Sequence, residues 1–384
     1  MEVIVHRING DAVATLKVDL LQSVLDLHHL LADLTGIPTW QQGLLFGAKV
    51  LCPSSTLQDE GIADKAELTL VVHNITLVLT ASFDGTAKLW NALSGECTQT
   101  FRHSDCVQSA VFSADCSSIL TASKDGTARL WDAVSEECTQ TFSHSGSHCF
   151  SAVFSADGSL VLTASKDGTA KLWNALSGER LRTFSGQGFN VRCAVFSADD
   201  SSVLAASFDG TAKLWDVASG ECTQTMSCHD YVHSAVFSAD GLSILTASFD
   251  GSARLWNALS GQCTQIFRHE DCVNSAVFSA DCSSILTASK DCTAKLWDAV
   301  SGKCTQTFAG HADSVNSAVF SADGSSVLTS SNDGTAKLWN SVNAECTQTF
   351  TGHGFHVRSA VFSAVGSSVL AALHCQGPAN AASR

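Results

Sequence analysis

The sequence predicts a mainly β chain in which a small α+β unit precedes a closed ring of seven four-stranded sheets, and three features carry that prediction. The string VFSADCSSILTASKDGTARLWD at 111–132 returns as VFSADGSLVLTASKDGTAKLWN at 153–174 and recurs with small changes along the chain. Seven tryptophans (Trp90, Trp131, Trp173, Trp215, Trp256, Trp297 and Trp339) stand 41 or 42 residues apart. Residues 1–73 show none of this period and alternate hairpin, helix and strand patterns.

Within one repeat, SAVFSA, SSILTAS and TAKLW are short alternating stretches rich in β-branched and aromatic residues, and ECTQTF is a fourth. A Lys-Asp-Gly or Phe-Asp-Gly turn joins the second to the third, with glycine suited to positive φ. A unit of this kind cannot bury both faces alone, so neighbours must stack and the stack must close. The period, with Trp-Asp or Trp-Asn ending each unit, resembles the WD repeat over roughly residues 74–374. That resemblance implies a seven-bladed β-propeller. Strand counting gives one strand more than seven blades need. The resemblance implies that a C-terminal first strand, His356 to Ala364, completes the blade begun at the N-terminal side. Either Ser367–Leu373 or Thr76–Ser82 is then surplus, and residues 375–384 are read as a disordered tail.

In residues 1–73, MEVIVHRING and AVATLKV form a hairpin around Asn9-Gly10. SVLDLHHLLADLTG follows, with Ser23 as N-cap, Asp26 three residues on, and Val24, Leu27, Leu31 and Leu34 on one helical face. GIPTWQQGLLFGAKVL and STLQDEGIADKAELTLVV then resemble ubiquitin nearly end to end. The resemblance implies a β-grasp fold with a recognition patch at Ile8, Leu45, Thr69 and Val71, and it aligns Lys49 with a linkage lysine. VVH runs directly into NITLVLTAS without a Gly-Gly tail, so ordinary conjugation is not expected. The pattern is instead similar to integral ubiquitin-like domains that dock on proteasome subunits or segregases. The abrupt junction implies rigid packing or a strained first blade.

Composition narrows the function classes. A net charge of −15 argues against phosphate-backbone binding and anionic membranes. No signal peptide is read at Met1–Val5, and no apolar run is long enough to span a bilayer. Six of the 16 cysteines (Cys97, Cys138, Cys222, Cys263, Cys304 and Cys346) share one repeat phase, too far apart to bridge. They are expected to be small buried side chains of a reduced protein in the cytoplasm or nucleus.

Recurring Ser, His and Asp suggest hydrolase chemistry until their repetition is noticed. The WD resemblance implies a structural tetrad: His103, Ser123, Asp125 and Trp131 in the second unit, His269 in the sixth, and His311, Ser331, Asp333 and Trp339 in the seventh. The first blade should borrow His353. The histidine is shifted at His144 and His229 and replaced at Gln187, so those blades are expected to be softer. His144 with His148, or Cys228, His229 and His233, lack the paired spacing of structural zinc, and no glycine-rich phosphate loop is present. The expectation is no enzyme, no metal, no cofactor and no small-molecule substrate.

Information should then lie on exposed faces. The WD resemblance places the residue before each turn aspartate on the narrower surface: Phe83, Lys124, Lys166, Phe208, Phe249, Lys290 and Asn332. The start of the first strand adds Gln108, Arg192, Tyr231, His233, Asn274, Asn316 and Arg358. Three exposed phenylalanines and three lysines are expected to form a protein or peptide interface. The leading expectation is a scaffold or adaptor whose propeller holds a partner while the ubiquitin-like domain docks on ubiquitin–proteasome machinery. The rivals are a plain scaffold capped by that domain, and a substrate receptor of a cullin-type ligase. WNALS, WDAVS, WDVAS and WNSVN lack the arginine such receptors often carry after Trp-Asp.

Overall fold

The computed structural model describes residues 1–7, 12–35, 42–47, 49–52, 55–72, 77–92, 94–188, 190–227 and 230–363. The chain divides into two compact units, Met1–Ile75 and Thr76–Arg384.

In the first unit, strands β1 (Glu2–Arg7), β2 (Ala12–Lys17), β3 (Gln42–Phe46), β4 (Lys49–Val50) and β5 (Ala66–Val72) form one sheet in the order β2-β1-β5-β3-β4. β1 and β5 are parallel at its centre. Helix α1 (Val24–Thr35) begins at a reciprocal cap. The Asp26 amide donates to Ser23 Oγ at 3.1 Å and the Ser23 amide to Asp26 Oδ2 at 2.8 Å, which satisfies two N-terminal donors. Val24, Leu27 and Leu31 point into a core shared with Val3, Val5, Leu44, Leu68 and Leu70, whereas Leu34 is exposed. The junction at 73–76 lies outside the described residues.

In the second unit, seven antiparallel four-stranded sheets repeat one plan. In the second blade, Val107–Phe112 is buried along its whole length, and Cys138–Ser143 at the other edge is largely exposed, with Phe142 its one buried residue. The innermost strand is therefore the first of each blade. Innermost strands touch in succession, and Val357–Phe362 lies against both Val315–Phe320 and Val107–Phe112, so the ring is closed.

Closure is made by the C-terminal first strand: Val357–Phe362 pairs with Leu77–Ser82 in the sheet that continues through Thr86–Asn91 and Cys97–Arg102. Leu77–Ser82 is thus an ordinary second strand, while Ser367–Leu373 falls outside the described residues. Between blades, a fourth-strand phenylalanine meets the next tryptophan. The ring centroids are 5.7 Å apart for Phe101–Trp131 and 6.1 Å for Phe308–Trp339, and Phe350–Trp90 at 6.2 Å joins last blade to first. Each ring withdrawn from water contributes about 1.5–3 kcal/mol.

The CTQ strings have a different role from the one expected. Cys97, Cys138, Cys222, Cys263, Cys304 and Cys346 are exposed on the outer strands, not buried. The outermost strand lacks a partner on one side, so residues pointing away from the Phe face meet solvent. The adjacent glutamines bind blade to blade. Gln140 Nε2 donates to the Leu176 carbonyl at 2.7 Å, and Gln306 Nε2 to Val342 at 2.8 Å. The third blade substitutes Arg182, which donates to the carbonyls of Ala218 and Ser219.

Candidate protein-interaction site

The polar chain inside each blade sets the geometry of the faces. In the second blade, Trp131 Nε1 donates to Thr121 Oγ1 at 2.8 Å. Thr121 Oγ1 lies 2.7 Å from His103 Nε2, and His103 Nδ1 lies 2.9 Å from Asp125 Oδ2. The hydroxyl member is therefore Thr121, not Ser123, and in the seventh blade Thr329, not Ser331. The strand explains the difference. Thr121 sits in regular pairing opposite the tryptophan strand, while the register slips at Ser123. Ser123 Oγ consequently donates to the Asp105 carbonyl and accepts the Asp125 amide, bracing the turn. The same chain runs through Trp297, Thr287, His269 and Asp291, and through Trp339, Thr329, His311 and Asp333. In the first blade it is completed by His353, 2.6 Å from Thr80 and 3.1 Å from Asp84.

One of the three irregular units departs from expectation. His144 reaches both Thr163 at 2.7 Å and Asp167 at 3.3 Å, because Ser145 (φ 53°) and Gly146 (φ 83°) absorb the extra residue. Its chain is complete. The fourth blade is the deficient one. Ala205 stands where the others have threonine, Gln187 Nε2 donates to the Ala205 carbonyl, and the buried Trp215 Nε1 has no partner among the described residues. In the fifth, His229 lies outside the described residues, and the buried Arg254 donates to Asp250 at 2.6 Å.

These chains make the ring sensitive to acid. Burial holds His103, His144 and His311 below the ordinary imidazole value, against the raising effect of their aspartates. Burial pushes the Asp125 carboxyl up, but hydrogen bonds from Thr127 and His103 outweigh it and bring it to about 2. For a histidine whose folded pKa is lowered, the unfolded chain binds the extra proton. Stability is complete above roughly pH 6.5 and is lost as pH falls below it. Lowered aspartates act in the same direction at lower pH, below roughly 4. Calorimetry from neutral to acidic pH should therefore show Tm falling first in the imidazole range and again in the carboxylate range. An unchanged Tm through the imidazole range would contradict this reading.

On the face that carries the second-to-third-strand turns, one backbone bond places every turn residue. The amide of Phe83, Lys124, Lys166, Phe208, Phe249, Lys290 and Asn332 donates to the carbonyl of His356, Cys106, His148, Asn190, Tyr231, Cys272 and Ser314 respectively, at 2.9–3.2 Å. The seven side chains are equivalently placed but not equivalent in environment. Phe249 is 39 % exposed, whereas Phe83 and Phe208 are half-buried, contrary to the expectation of three exposed rings. Lys124 Nζ lies 4.6 Å from the Phe83 centroid, and Phe83 meets His356 edge-on at 5.7 Å. Phe208 stacks on Tyr231 at 5.1 Å, and Phe249 stacks on His233 at 5.2 Å. Phe208, Tyr231, His233 and Phe249 form one aromatic cluster across the fourth and fifth blades. Lys166 and Lys290 are exposed, and Asn332 accepts from Asn316 Nδ2 at 2.8 Å.

Sequence reasoning missed Phe150, whose ring lies 4.7 Å from the Arg192 guanidinium, and the part played by His356. An aromatic at the phase where other units carry Gln108, Asn274 or Asn316 was the available signal for Phe150.

In the small unit, Leu45 pairs across the sheet with Thr69, and Gly43 with Val71. Leu45, Thr69 and Val71 alternate with the core residues Leu44, Leu68 and Leu70 and so share the face turned away from the core. All three are half-buried, and Ile8 lies outside the described residues. Lys49 Nζ is held 2.7 Å from Glu60.

Fold and faces together define a seven-bladed WD-type propeller preceded by a ubiquitin-like domain, the architecture of a non-catalytic protein-interaction scaffold. A family model described as "IFT122 first beta-propeller" matches residues 71–298, more than half of the chain, and the chain belongs to that family. A "WD domain, G-beta repeat" model matches residues 302–340, and a "Ubiquitin family" model matches residues 7–75. No curated protein matches the chain. Among the described residues, no cluster of His, Cys, Asp and Glu is arranged to hold a metal ion, and no helix is long and apolar enough to cross a membrane.

Proposed function

We propose that this protein is an adaptor of the cytoplasm or nucleus. Its propeller holds a protein or peptide at the aromatic cluster, and its ubiquitin-like domain docks on receptors of the ubiquitin–proteasome system. The observation that carries the reading is the aromatic cluster itself. Tyr231 is 47 % and Phe249 39 % exposed, yet each is stacked on a neighbour, Tyr231 on Phe208 and Phe249 on His233. Rigid aromatic anchors lose little entropy on binding and dominate interface energies. The docking half is supported by Leu45, Thr69 and Val71 on the free face of the small sheet, at the positions where the ubiquitin resemblance puts a recognition patch.

The test is binding of the full chain to purified proteasome ubiquitin-receptor subunits, compared with a Leu45→Ala/Val71→Ala variant. The intact chain should bind, and the variant should bind at least tenfold more weakly with an unchanged Tm. Absence of binding by the intact chain would remove the docking half and leave the propeller half standing.

A further inference from the structure

The inner strands enclose a channel on the ring axis, and its lining is unlike the rest of the molecule. Arg192 and Arg358 both project into it, with His233 beside them, and no Asp or Glu is among the lining residues. The hydrogen bonds these arginines make go to neutral groups: Arg192 to Gln108 Oε1 at 3.2 Å and Arg358 to Asn316 Oδ1 at 2.9 Å. Neither forms an ion pair among the described residues, although the chain as a whole carries a net charge of −15. Two unpaired guanidiniums in an acidic protein are not part of a generally basic surface.

The channel also holds polar atoms without partners among the described residues. Gln108 Nε2, His233 Nε2, Ser234 Oγ, Ser275 Oγ and Ser359 Oγ are buried and make no hydrogen bond there. All five belong to residues that line the channel. Gln108, Ser234, Ser275 and Ser359 are each no more than 6 % exposed. Buried polar atoms are ordinarily satisfied, so a cluster left open on one cavity asks for a ligand that accepts hydrogen bonds. Burial, together with the two arginines, holds His233 well below the ordinary imidazole range, so it meets the channel uncharged. Burial and the neighbouring Arg358 lower Arg192 as well, as expected for cations crowded without a counter-charge.

From this arrangement we infer that the axial channel is a binding site for a single oxyanion, gripped by Arg192 and Arg358 and by the unpartnered hydroxyl and amide donors beneath them. Size limits the ligand. The cavity is about 50 Å³, and a water needs about 10–15 Å³ on this measure. The space therefore accommodates a phosphate, a sulfate or one carboxylate group. Guanidinium forks match the geometry of all three. The anion would arrive as a free inorganic ion or as the carboxylate of an inserted acidic side chain. This site is separate from the aromatic cluster in its chemistry, although His233 borders both.

The experiment is calorimetric titration and thermal melting of the full chain with inorganic phosphate, sulfate and acetate, at ionic strength matched with chloride. Saturable binding of phosphate or sulfate with a rise in Tm is expected. Arg192→Gln and Arg358→Gln should each weaken it at least tenfold. In chloride alone each variant should melt close to the parent, because the half-buried guanidinium it removes forms no ion pair among the described residues and glutamine keeps an amide donor, and this separates lost binding from lost folding. If acetate competes, the site accepts a carboxylate as well as an inorganic oxyanion; if it does not, the ligand is an inorganic oxyanion. The inference is overturned if none of the three anions binds saturably, or if both arginine variants bind as the parent does.

Discussion

Trp339→Ala is expected to lower the unfolding free energy by about 3–5 kcal/mol, the range for removing a fully buried large aromatic. Trp339 is 2 % exposed, packs on Phe308 across the blade boundary and donates its indole N–H to Thr329. Its loss opens a cavity and frees Thr329 and His311 from one polar chain. Trp215→Ala removes a ring of the same size, 7 % exposed and packed on Phe184 in the same way, but its N–H already lacks a partner. The loss there should be smaller by about 1–2 kcal/mol, the net value of a buried hydrogen bond and its satisfied partners. The reverse substitution, Ala205→Thr, places a hydroxyl where six other blades have one and should stabilise by about 1 kcal/mol. Urea unfolding followed by circular dichroism measures all three. Equal losses at Trp339 and Trp215, with no gain from Ala205→Thr, would show that the polar chain orders the blade without stabilising it.

A Phe208→Ala/Tyr231→Ala/Phe249→Ala variant is expected to lose the propeller's protein partner by at least about 100-fold, since central aromatic anchors are each worth about 2 kcal/mol or more. Tyr231 and Phe249 are substantially exposed and meet each other edge-on at 5.9 Å, so folding should change far less than binding. The control is Lys166→Ala/Lys290→Ala, which alters exposed side chains of the same face that take no part in the cluster. Partners captured by the intact chain would be quantified against both variants. A loss with the lysine pair and retention without the aromatics would move the interface to the charged side of the ring.

Much of the architecture was legible because it is local. The tryptophan period, the alternation within each strand and the Asp-Gly turns are read within one repeat, and seven copies make the reading secure. The capping box at Ser23 and Asp26 is equally local. Ring closure was legible in outline, since a blade missing one strand at one end and an extra strand at the other can be matched by counting.

What the repeat concealed is instructive. Cys97 and its equivalents looked buried because they recur at one phase, yet phase says nothing about which edge of the sheet faces solvent. Ser123 and Thr121 share a strand face, and only the folded pairing, which sets Trp131 opposite Ile119, decides that the nearer hydroxyl, Thr121, meets Trp131. His144 looked displaced, but a loop residue with positive φ restored its place.

By itself the sequence determined the two-domain order, the seven blades, the small helix-on-sheet unit and the candidate faces, because periodicity and turn chemistry act over a few residues. Only the tertiary structure decided that Phe208, Tyr231, His233 and Phe249 converge, that the fourth blade leaves Trp215 unsatisfied, and that Arg192 and Arg358 share one channel without a counter-charge. Arg192 and Arg358 are 166 positions apart in the chain. They meet because closing the ring brings every first strand to the axis, a constraint carried by no local segment.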